Sequence, residues 1–300
     1  GRDEHTGVHM NSAFTLLLLA VSTPLVSAKK PCRGVRHAFQ MKGFWPFLKI
    51  AGPRPGLSDC IELDLTSMGL TDVEAEMLAE ELKTNNVLEE LVLAGNWIGP
   101  SGAIALADAL AENKHLHSLD LSNNNLNDEG ASAIAEALRR NRVLEHLNLG
   151  RGNITSKGAG DIARMLDTNT RLHTLFLWHN DLEDEGARHI ASTLGDNDAL
   201  EVLYLQGNRI RTSGGVAIAK ALRKNRALHT LDLSNNLIHN KGAMALAKAL
   251  KSANKKVSSL GLRHNWFTEE GIKALNSVGQ GLDRYHMWRR TSVESEDREL

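Results

Sequence analysis

The sequence has few cysteines, almost no excess charge and no long hydrophobic run, and each absence excludes a class of protein. Only two cysteines, Cys32 and Cys60, occur in 300 residues. At most one disulfide can form, which excludes a disulfide-dense scaffold and a zinc site built on paired cysteines. The 35 basic and 36 acidic residues leave a net charge of -1. Because no overall positive field would attract a polyanion, we expect no nucleic-acid partner.

Motifs that carry catalysis are also missing. The sequence contains no GxxxxGK[ST] phosphate loop, no GxSxG nucleophile turn, no CxxC pair and no HExxH zinc helix. Glycines do recur, at positions 102, 130, 158, 186, 214, 242 and 271, but their regular spacing indicates the start of repeated helices and not a nucleotide site. We therefore predict that the protein is not an enzyme and uses no cofactor, metal ion or small-molecule substrate.

The first residues have the layout of a secretory signal peptide. An apolar run, AFTLLLLAV, covers residues 13–21 and precedes small residues up to Ala28, so residues 1–28 would comprise a signal peptide and the residues upstream of it. Against this interpretation, no Lys or Arg lies between Met10 and the run. The run is about nine residues long, whereas a bilayer span needs about 20. No transmembrane anchor is expected.

Residues 29–59 are basic and contain several aromatic residues, with seven Lys or Arg and no acidic residue before Asp59. Such a segment could contact phosphate or lipid head groups. Alternatively, its Pro and Gly content fits a connector whose rings pack on the following domain and cap it. At the other end, residues 285–300 hold Tyr285, Met287 and Trp288 and then a charged tail, and we predict a second cap there.

Residues 60–284 consist of eight copies of one pattern. LEELVLAGNWI, from Leu88, recurs as LHSLDLSNNNL from Leu116 and as LHTLDLSNNLI from Leu228. The copies start at Cys60, Leu88, Leu116, Leu144, Leu172, Leu200, Leu228 and Val257, 28 residues apart except for one step of 29. Every copy has Leu at both central positions of its LxxLxL part. We number these copies as units 1 to 8.

The hydrophobic period changes within each unit. The LxxLxL part alternates, as a strand with one buried face does. The second part, for example GAIALADAL from Gly102, has helical spacing, with alanines where a helix approaches a strand closely. Each unit is therefore predicted to be strand, turn, helix, turn, which places the chain in the α/β class.

Six units have Asn three residues after the second strand leucine, where an amide can bond the backbone of the turn. The exceptions are Met68 in unit 1 and Gly152 in unit 4, where Asn153 comes one place late. This irregularity predicts a local bulge over residues 150–153.

The pattern resembles the leucine-rich repeat, and the 28-residue period with a full helix resembles its ribonuclease-inhibitor-like subfamily. The resemblance implies a right-handed α/β solenoid of eight repeats, with parallel strands on the concave side and helices on the convex side. Members of that group include inhibitors of secreted nucleases, innate receptor sensors, activators of Ran-type GTPases and actin-filament capping proteins. The subfamily is mostly intracellular, whereas residues 10–28 look secretory, so both compartments stay open.

One part of the predicted concave face is unusual. Residues that flank the strand leucines point away from the core, and outside units 5 and 6 ten of these 18 residues are Asp, Ser, Asn or Thr. In units 5 and 6 they include Phe176, Trp178 and Tyr204, and His146, Arg151, His179 and Gln206 are close in the pattern. Aromatic side chains beside Arg are typical of protein interfaces. Alternatively, the rings could simply cover one another on the sheet.

Other candidate positions are weaker. Asp64, Asp120 and Asp232 repeat one strand position and could meet basic groups, but a solvated polar position explains them equally. Asn153 starts a glycosylation sequon, Asn-Ile-Thr, which matters only in a secreted chain. We predict a non-catalytic scaffold that binds a partner protein on the concave face. The alternatives are a Ran-directed GTPase activator and the sensor region of an innate immune receptor.

Overall fold

The computed structural model describes residues 61–252 and 256–278. The possible signal peptide (1–28), the basic segment (29–59), the two cysteines and the predicted C-terminal cap and tail (285–300) lie outside the described residues, so those predictions stay open.

Strand and helix alternate eight times in the described chain. The strands are β1 Glu62–Asp64, β2 Glu90–Val92, β3 Ser118–Asp120, β4 His146–Asn148, β5 Thr174–Phe176, β6 Val202–Tyr204, β7 Thr230–Asp232 and β8 Ser259–Gly261. The helices are α1 Asp72–Thr84, α2 Pro100–Glu112, α3 Asn127–Leu138, α4 Ser156–Leu166, α5 Glu183–Leu194, α6 Thr212–Leu222, α7 Asn240–Ser252 and α8 Glu269–Asn276.

The strands form one parallel sheet in chain order, β1 to β8. The register is that of the repeat: Leu147 of β4 is paired with Leu119 on one side and with Leu175 on the other. Since helices are wider than the roughly 4.8 Å strand spacing, stacking the units bends the array into an arc with the strands inside. The α/β solenoid predicted from the sequence is confirmed.

The core is one continuous layer between strands and helices. In the central units both strand leucines, such as Leu175 and Leu177, are fully buried, as is the helix residue Ile190. Small residues let neighbouring helices approach each other closely: a Cβ added at Gly130 would crowd the methyl group of Ala103 in the helix of the preceding unit. A single unit could not bury both its strand and its helix, so stability comes from stacking on neighbours.

The predicted asparagine ladder at the end of the strands is present. Asn96 donates to the carbonyl oxygens of Leu93 and of Leu65 in the preceding unit, at 2.8 and 3.0 Å. Its Oδ1 accepts from the backbone N–H groups of Met68 and Leu70, at 2.9 and 3.0 Å. The same pair of donor bonds is made by Asn124, Asn180, Asn208, Asn236 and Asn265.

The bulge predicted over residues 150–153 was wrong, because the hydrogen bonds between units continue in the same register beyond β4: the N–H of Arg151 donates to the Trp178 carbonyl, and the Gly150 carbonyl accepts from the N–H of Asn123, each at 2.8 Å. Gly152 takes the place of the ladder asparagine, and its carbonyl accepts from the N–H of Asn127 at 2.9 Å. Two units later, the carbonyl of Asn208 accepts from Glu183 in the same way, and its side-chain Oδ1 has no partner among the described residues. In units 4 and 6, therefore, no backbone N–H group requires a side-chain amide oxygen as its acceptor at this position.

A second asparagine ladder was not predicted. Asn113, Asn141, Asn169, Asn197 and Asn225 follow successive helices and are buried. Each donates to a leucine carbonyl in the last turn of the helix of the preceding unit, as Asn169 does to Leu138 of α3 at 2.7 Å. Each Oδ1 accepts from the N–H groups two and three residues later. The amide thus satisfies carbonyl groups that a helix end leaves without partners.

An aspartate joins the starts of successive helices in alternate units. Asp72, Asp128 and Asp184, spaced 56 residues apart, each accept two backbone N–H groups at the start of the next helix. Partial burial acts to raise the pKa of Asp128, but hydrogen bonds from the Thr155 hydroxyl and from the N–H groups of Thr155 and Gly158, with the charge of Lys157, lower it further than burial raises it. The pKa of Asp128 therefore lies below its ordinary 3.8.

This shift predicts how stability depends on pH. Because the pKa of Asp128 is lower in the folded state, its carboxylate stabilises the fold fully above the ordinary pKa, and this contribution disappears as the pH falls through the folded value. We expect Asp128→Ala to lower the free energy of unfolding by about 1 kcal/mol at neutral pH. Urea titrations at several pH values should show this difference narrowing below about pH 4, whereas the exposed neighbour Glu129→Ala should change little.

Candidate functional site

Phe176 and Tyr204 are neighbours on the strand face of the arc. They are paired in register on β5 and β6. Their ring centroids are 4.8 Å apart with the planes tilted by 36°. Both side chains are half-buried, so each ring covers part of the other and leaves part of its surface open to solvent. The rings pack on each other and still leave an apolar surface open to solvent, so both interpretations made from the sequence stay open.

Trp178 extends this surface toward unit 4. It stands two residues after Phe176, in the turn that leaves β5, and is also half-buried. Its indole lies over Gly150, the equivalent residue of the preceding unit, where an added Cβ would overlap the ring. The absence of a side chain at Gly150 is thus what lets a tryptophan fit at this position.

Arg151 and His179 lie at the edge of the aromatic residues. The Arg151 guanidinium carbon is 5.9 Å from the centroid of the Trp178 ring, within cation–π range. The imidazole of His179 packs edge-on to the same indole, at 5.9 Å and 87°. It leans over Gly207 of the next unit, whose φ of +70° also favours glycine. We call Phe176, Trp178 and Tyr204, with Arg151 and His179, the aromatic cluster.

The backbone conformation sets the direction of the Arg151 and His179 side chains. The residue two places after the second strand leucine has a positive φ in all eight units: Ser67, Gly95, Asn123, Arg151, His179, Gly207, Asn235 and His264. A left-handed residue turns the chain sharply out of the strand, and non-glycine residues adopt it only where the surroundings compensate. The carbonyl of the next unit supplies part of that compensation, since Arg151 N–H donates to Trp178 at 2.8 Å.

The remaining predicted residues, Gln206, His146 and Asn153, are not part of the aromatic cluster. Gln206 follows β6 and is half-buried, and its Oε1 is buried with no hydrogen-bond partner among the described residues. His146 is exposed on β4, paired in register with Thr174 and not with the rings. Asn153 is exposed in the turn before α4, and its Nδ2 donates to Asn127 at 2.6 Å. Its glycosylation stays a prediction.

The repeated aspartates on the strands have a local structural role. Each accepts from the N–H two residues later: Thr66 to Asp64 at 2.9 Å, Ser122 to Asp120 at 2.8 Å and Ser234 to Asp232 at 2.7 Å. Their Oδ1 atoms thus hold the turn that leaves the strand. The interpretation of these residues as ordinary repeat positions is favoured, although each carboxylate still adds negative charge to the face.

Two exposed tryptophans were missed as surface features. Trp97 is 76% exposed and Trp266 is 54% exposed, against a cluster whose three rings are all half-buried. Both follow the ladder asparagine, beyond the strand, and Trp266 packs on His239 with centroids 5.3 Å apart. Their shared place in units 2 and 8 was visible in the sequence as the Asn-Trp pairs.

Neither a metal centre nor a membrane span is found in the described chain. Residues 61–252 and 256–278 contain no group of three His, Cys, Asp or Glu side chains placed to hold a metal ion. None of the helices there is long and apolar enough to cross a membrane.

Comparison with known proteins agrees with this geometry. A family model described as "Leucine Rich repeat" matches residues 84–107, 112–135, 140–163, 197–219 and 224–247. The five segments that the model matches are leucine-rich repeats. Such repeats generally form binding scaffolds without catalytic activity. The narrower ribonuclease-inhibitor-like assignment stays a prediction.

Among solved structures, the repeats are similar to one described as "Leiomodin-1 Actin-Binding Site 2 (ABS2)". The two chains are 22% identical, the match covers 50% of this chain and 86% of that one, and the TM-score is 0.44. A likeness at that level assigns no partner. A comparison with curated protein sequences found no match.

Proposed function

We propose that this leucine-rich-repeat protein is a non-catalytic scaffold that binds a partner protein on the concave face, with the aromatic cluster at the centre of the contact. The observation that carries the proposal is the composition of that face. Three large aromatic residues occupy adjacent places in units 5 and 6, whereas the same two positions of the other six units hold no aromatic residue.

The geometry of the cluster supports this role. Half-buried rings that pack on one another and over Gly150 lose little conformational freedom when a partner covers them, which lowers the entropic cost of binding. Arg151, His179, Gln206 and His146 would form the polar rim that surrounds such a centre. Tryptophan, tyrosine and arginine are the residue types that dominate measured interfaces.

Loss of the rings should weaken binding of the dominant partner by about 2 kcal/mol or more, which is roughly a 30-fold loss of affinity. The measurement is affinity purification with the full chain, comparing wild type with Trp178→Ala and with the double variant Phe176→Ala/Tyr204→Ala. The protein that wild type captures most strongly would be identified, and its affinity for each variant determined by titration.

The chain offers a matched control. The variant Trp97→Ala/Trp266→Ala removes two aromatic side chains that are exposed but lie beyond the strands, so partner binding should be unchanged. Circular dichroism should show native folding for every variant. Unchanged binding by natively folded cluster variants, or loss of binding with the Trp97/Trp266 control, would overturn the proposal.

A further inference from the structure

The charge of the concave face differs from that of the whole chain. The 24 positions next to the strand leucines hold five carboxylates and one arginine, although the full sequence is nearly neutral. The carboxylates are Glu62, Asp64, Glu90, Asp120 and Asp232, and the arginine is Arg263. Four of the five belong to units 1 to 3, on one side of the aromatic cluster. With Arg151 of the aromatic cluster included, the face has five carboxylates and two arginines. It therefore combines an acidic part in units 1 to 3 with an apolar part in units 5 and 6.

Two of these carboxylates repel each other. Glu62 and Glu90 are paired in register on β1 and β2, one strand spacing apart. Neither forms an ion pair with any residue that the structure describes. Like charges directly opposite each other on a sheet are destabilising. A positively charged ligand placed over both strands would relieve that repulsion.

On the other side, Asp232 is paired in register with Tyr204 and places a carboxylate next to the rings. It too makes no ion pair with the described residues. By contrast, Glu145 and Glu201, just before β4 and β6, have partners of their own: Glu145 binds Arg171 at 2.6 Å, and Glu201 lies 3.8 Å from His229. The face carboxylates that form no ion pair with the described residues thus include Glu62 and Glu90 in units 1 and 2, on one side of the cluster, and Asp232 in unit 7, on the other.

We propose that the partner contacts the concave face through a cationic polypeptide segment that carries an apolar side chain. The apolar side chain covers Phe176, Trp178 and Tyr204, and lysine or arginine side chains of the segment face Glu62, Glu90 and Asp232. This inference rests on the proposed function and adds the chemistry of the partner to it.

The dimensions are those of a short segment. From β1 to β6 there are five strand spacings, about 24 Å at about 4.8 Å each. An extended chain covers about 3.3 Å per residue, so seven or eight residues crossing the strands would reach from Glu62 to Tyr204. Electrostatic attraction would act mainly on the rate of association and on the choice of partner, and the apolar contact on the lifetime of the complex.

The test uses a phage-displayed library of random dodecapeptides, selected on the immobilised full chain and counter-selected on the Phe176→Ala/Trp178→Ala/Tyr204→Ala variant. Selected peptides are then titrated by fluorescence anisotropy at low and high salt. We expect peptides rich in Lys and Arg with at least one large apolar residue. Their affinity should fall about fivefold or more in Glu62→Gln/Glu90→Gln, and should fall with added salt in wild type.

A control variant separates the face from the overall charge. Glu76→Gln/Glu129→Gln makes the same change in net charge at exposed helix positions, and peptide affinity should be retained there. If this control weakens binding as much as Glu62→Gln/Glu90→Gln does, the proposal of a specific cationic contact is overturned.

The outcomes distinguish this inference from the function on which it rests. Selection of neutral or acidic peptides whose binding requires the aromatic residues would overturn the inference of a cationic partner, and the proposed function would still hold. Absence of any peptide that prefers wild type to the triple variant would overturn both. If peptides bind only after the seven basic residues of 29–58 are replaced by Gln, the face is occupied by the chain's own segment, and the inference of a cationic partner is overturned.

Discussion

Replacing Asn169 by alanine is expected to lower the free energy of unfolding by about 3 kcal/mol or more. The side chain is only 2% exposed, and it connects two units. It donates to Leu138 and Asn141 of the preceding unit at 2.7 and 3.3 Å. Its Oδ1 accepts from Arg171 and Leu172 at 2.8 Å each. Removing the amide leaves these buried backbone groups without partners, and each such group costs about 1–3 kcal/mol.

Urea unfolding followed by circular dichroism would measure the effect. Asn125→Ala is the matched control, because Asn125 is exposed and lies outside both asparagine ladders; its substitution should change stability by less than about 0.5 kcal/mol. Equal, small effects of the two substitutions would mean that water replaces the ladder at no cost, and that the second ladder does not hold the units together.

A comparable loss, about 2–5 kcal/mol, is expected for Leu175→Ala. Leu175 is fully buried in the middle of the sheet and is paired in register with Leu147 and Leu203. The truncation removes apolar burial and leaves a cavity between three units, in an array whose stability depends on contacts between neighbours. The urea transition should shift to lower concentration.

The same truncation at a half-buried leucine provides the comparison. Leu237, in the turn after β7, retains contact with solvent, so Leu237→Ala should cost distinctly less than Leu175→Ala. If both leucines prove equally costly, burial between units would not be the source of stability.

Most of the fold could be predicted because the same sequence signals for strand, turn and helix occur in all eight units. Two leucines per strand fix which face is buried, and the change of period fixes where each helix starts. The strand ladder of Asn96 and its equivalents could be predicted because the amide follows the strand at a constant distance. The second ladder had an equally regular signal, an Asn three residues before the first leucine of each of units 2 to 7, as in Asn169 and Leu172.

The errors arose where one residue was judged without its neighbours. Gly152 indicated a bulge because its unit lacks the ladder asparagine, yet the backbone of Asn127 bonds the Gly152 carbonyl and the register is kept. The alternation of units, seen in Asp72, Asp128 and Asp184, has a period of two repeats and is hidden when units are aligned one by one.

The aromatic cluster was predicted in position but not in detail. The pairing of Phe176 and Tyr204 follows from the register, because residues at one place in adjacent repeats must be adjacent in space. The packing of the Trp178 indole over Gly150 could not be predicted from the register, since the direction in which a side chain leans depends on which neighbouring residue is small. The sequence did contain the clue: Gly150 is the only glycine among the eight residues that directly follow the second strand leucine.

The most direct test of the account is hydroxyl-radical footprinting of the full chain with and without the partner captured in the affinity experiment. Oxidation of Phe176, Trp178 and Tyr204 should fall sharply in the complex, while the exposed Trp97 and Trp266 serve as internal references and keep their reactivity. Protection of Trp97 or Trp266 with unchanged oxidation of Phe176, Trp178 and Tyr204 would place the partner elsewhere and contradict a binding site on the concave face.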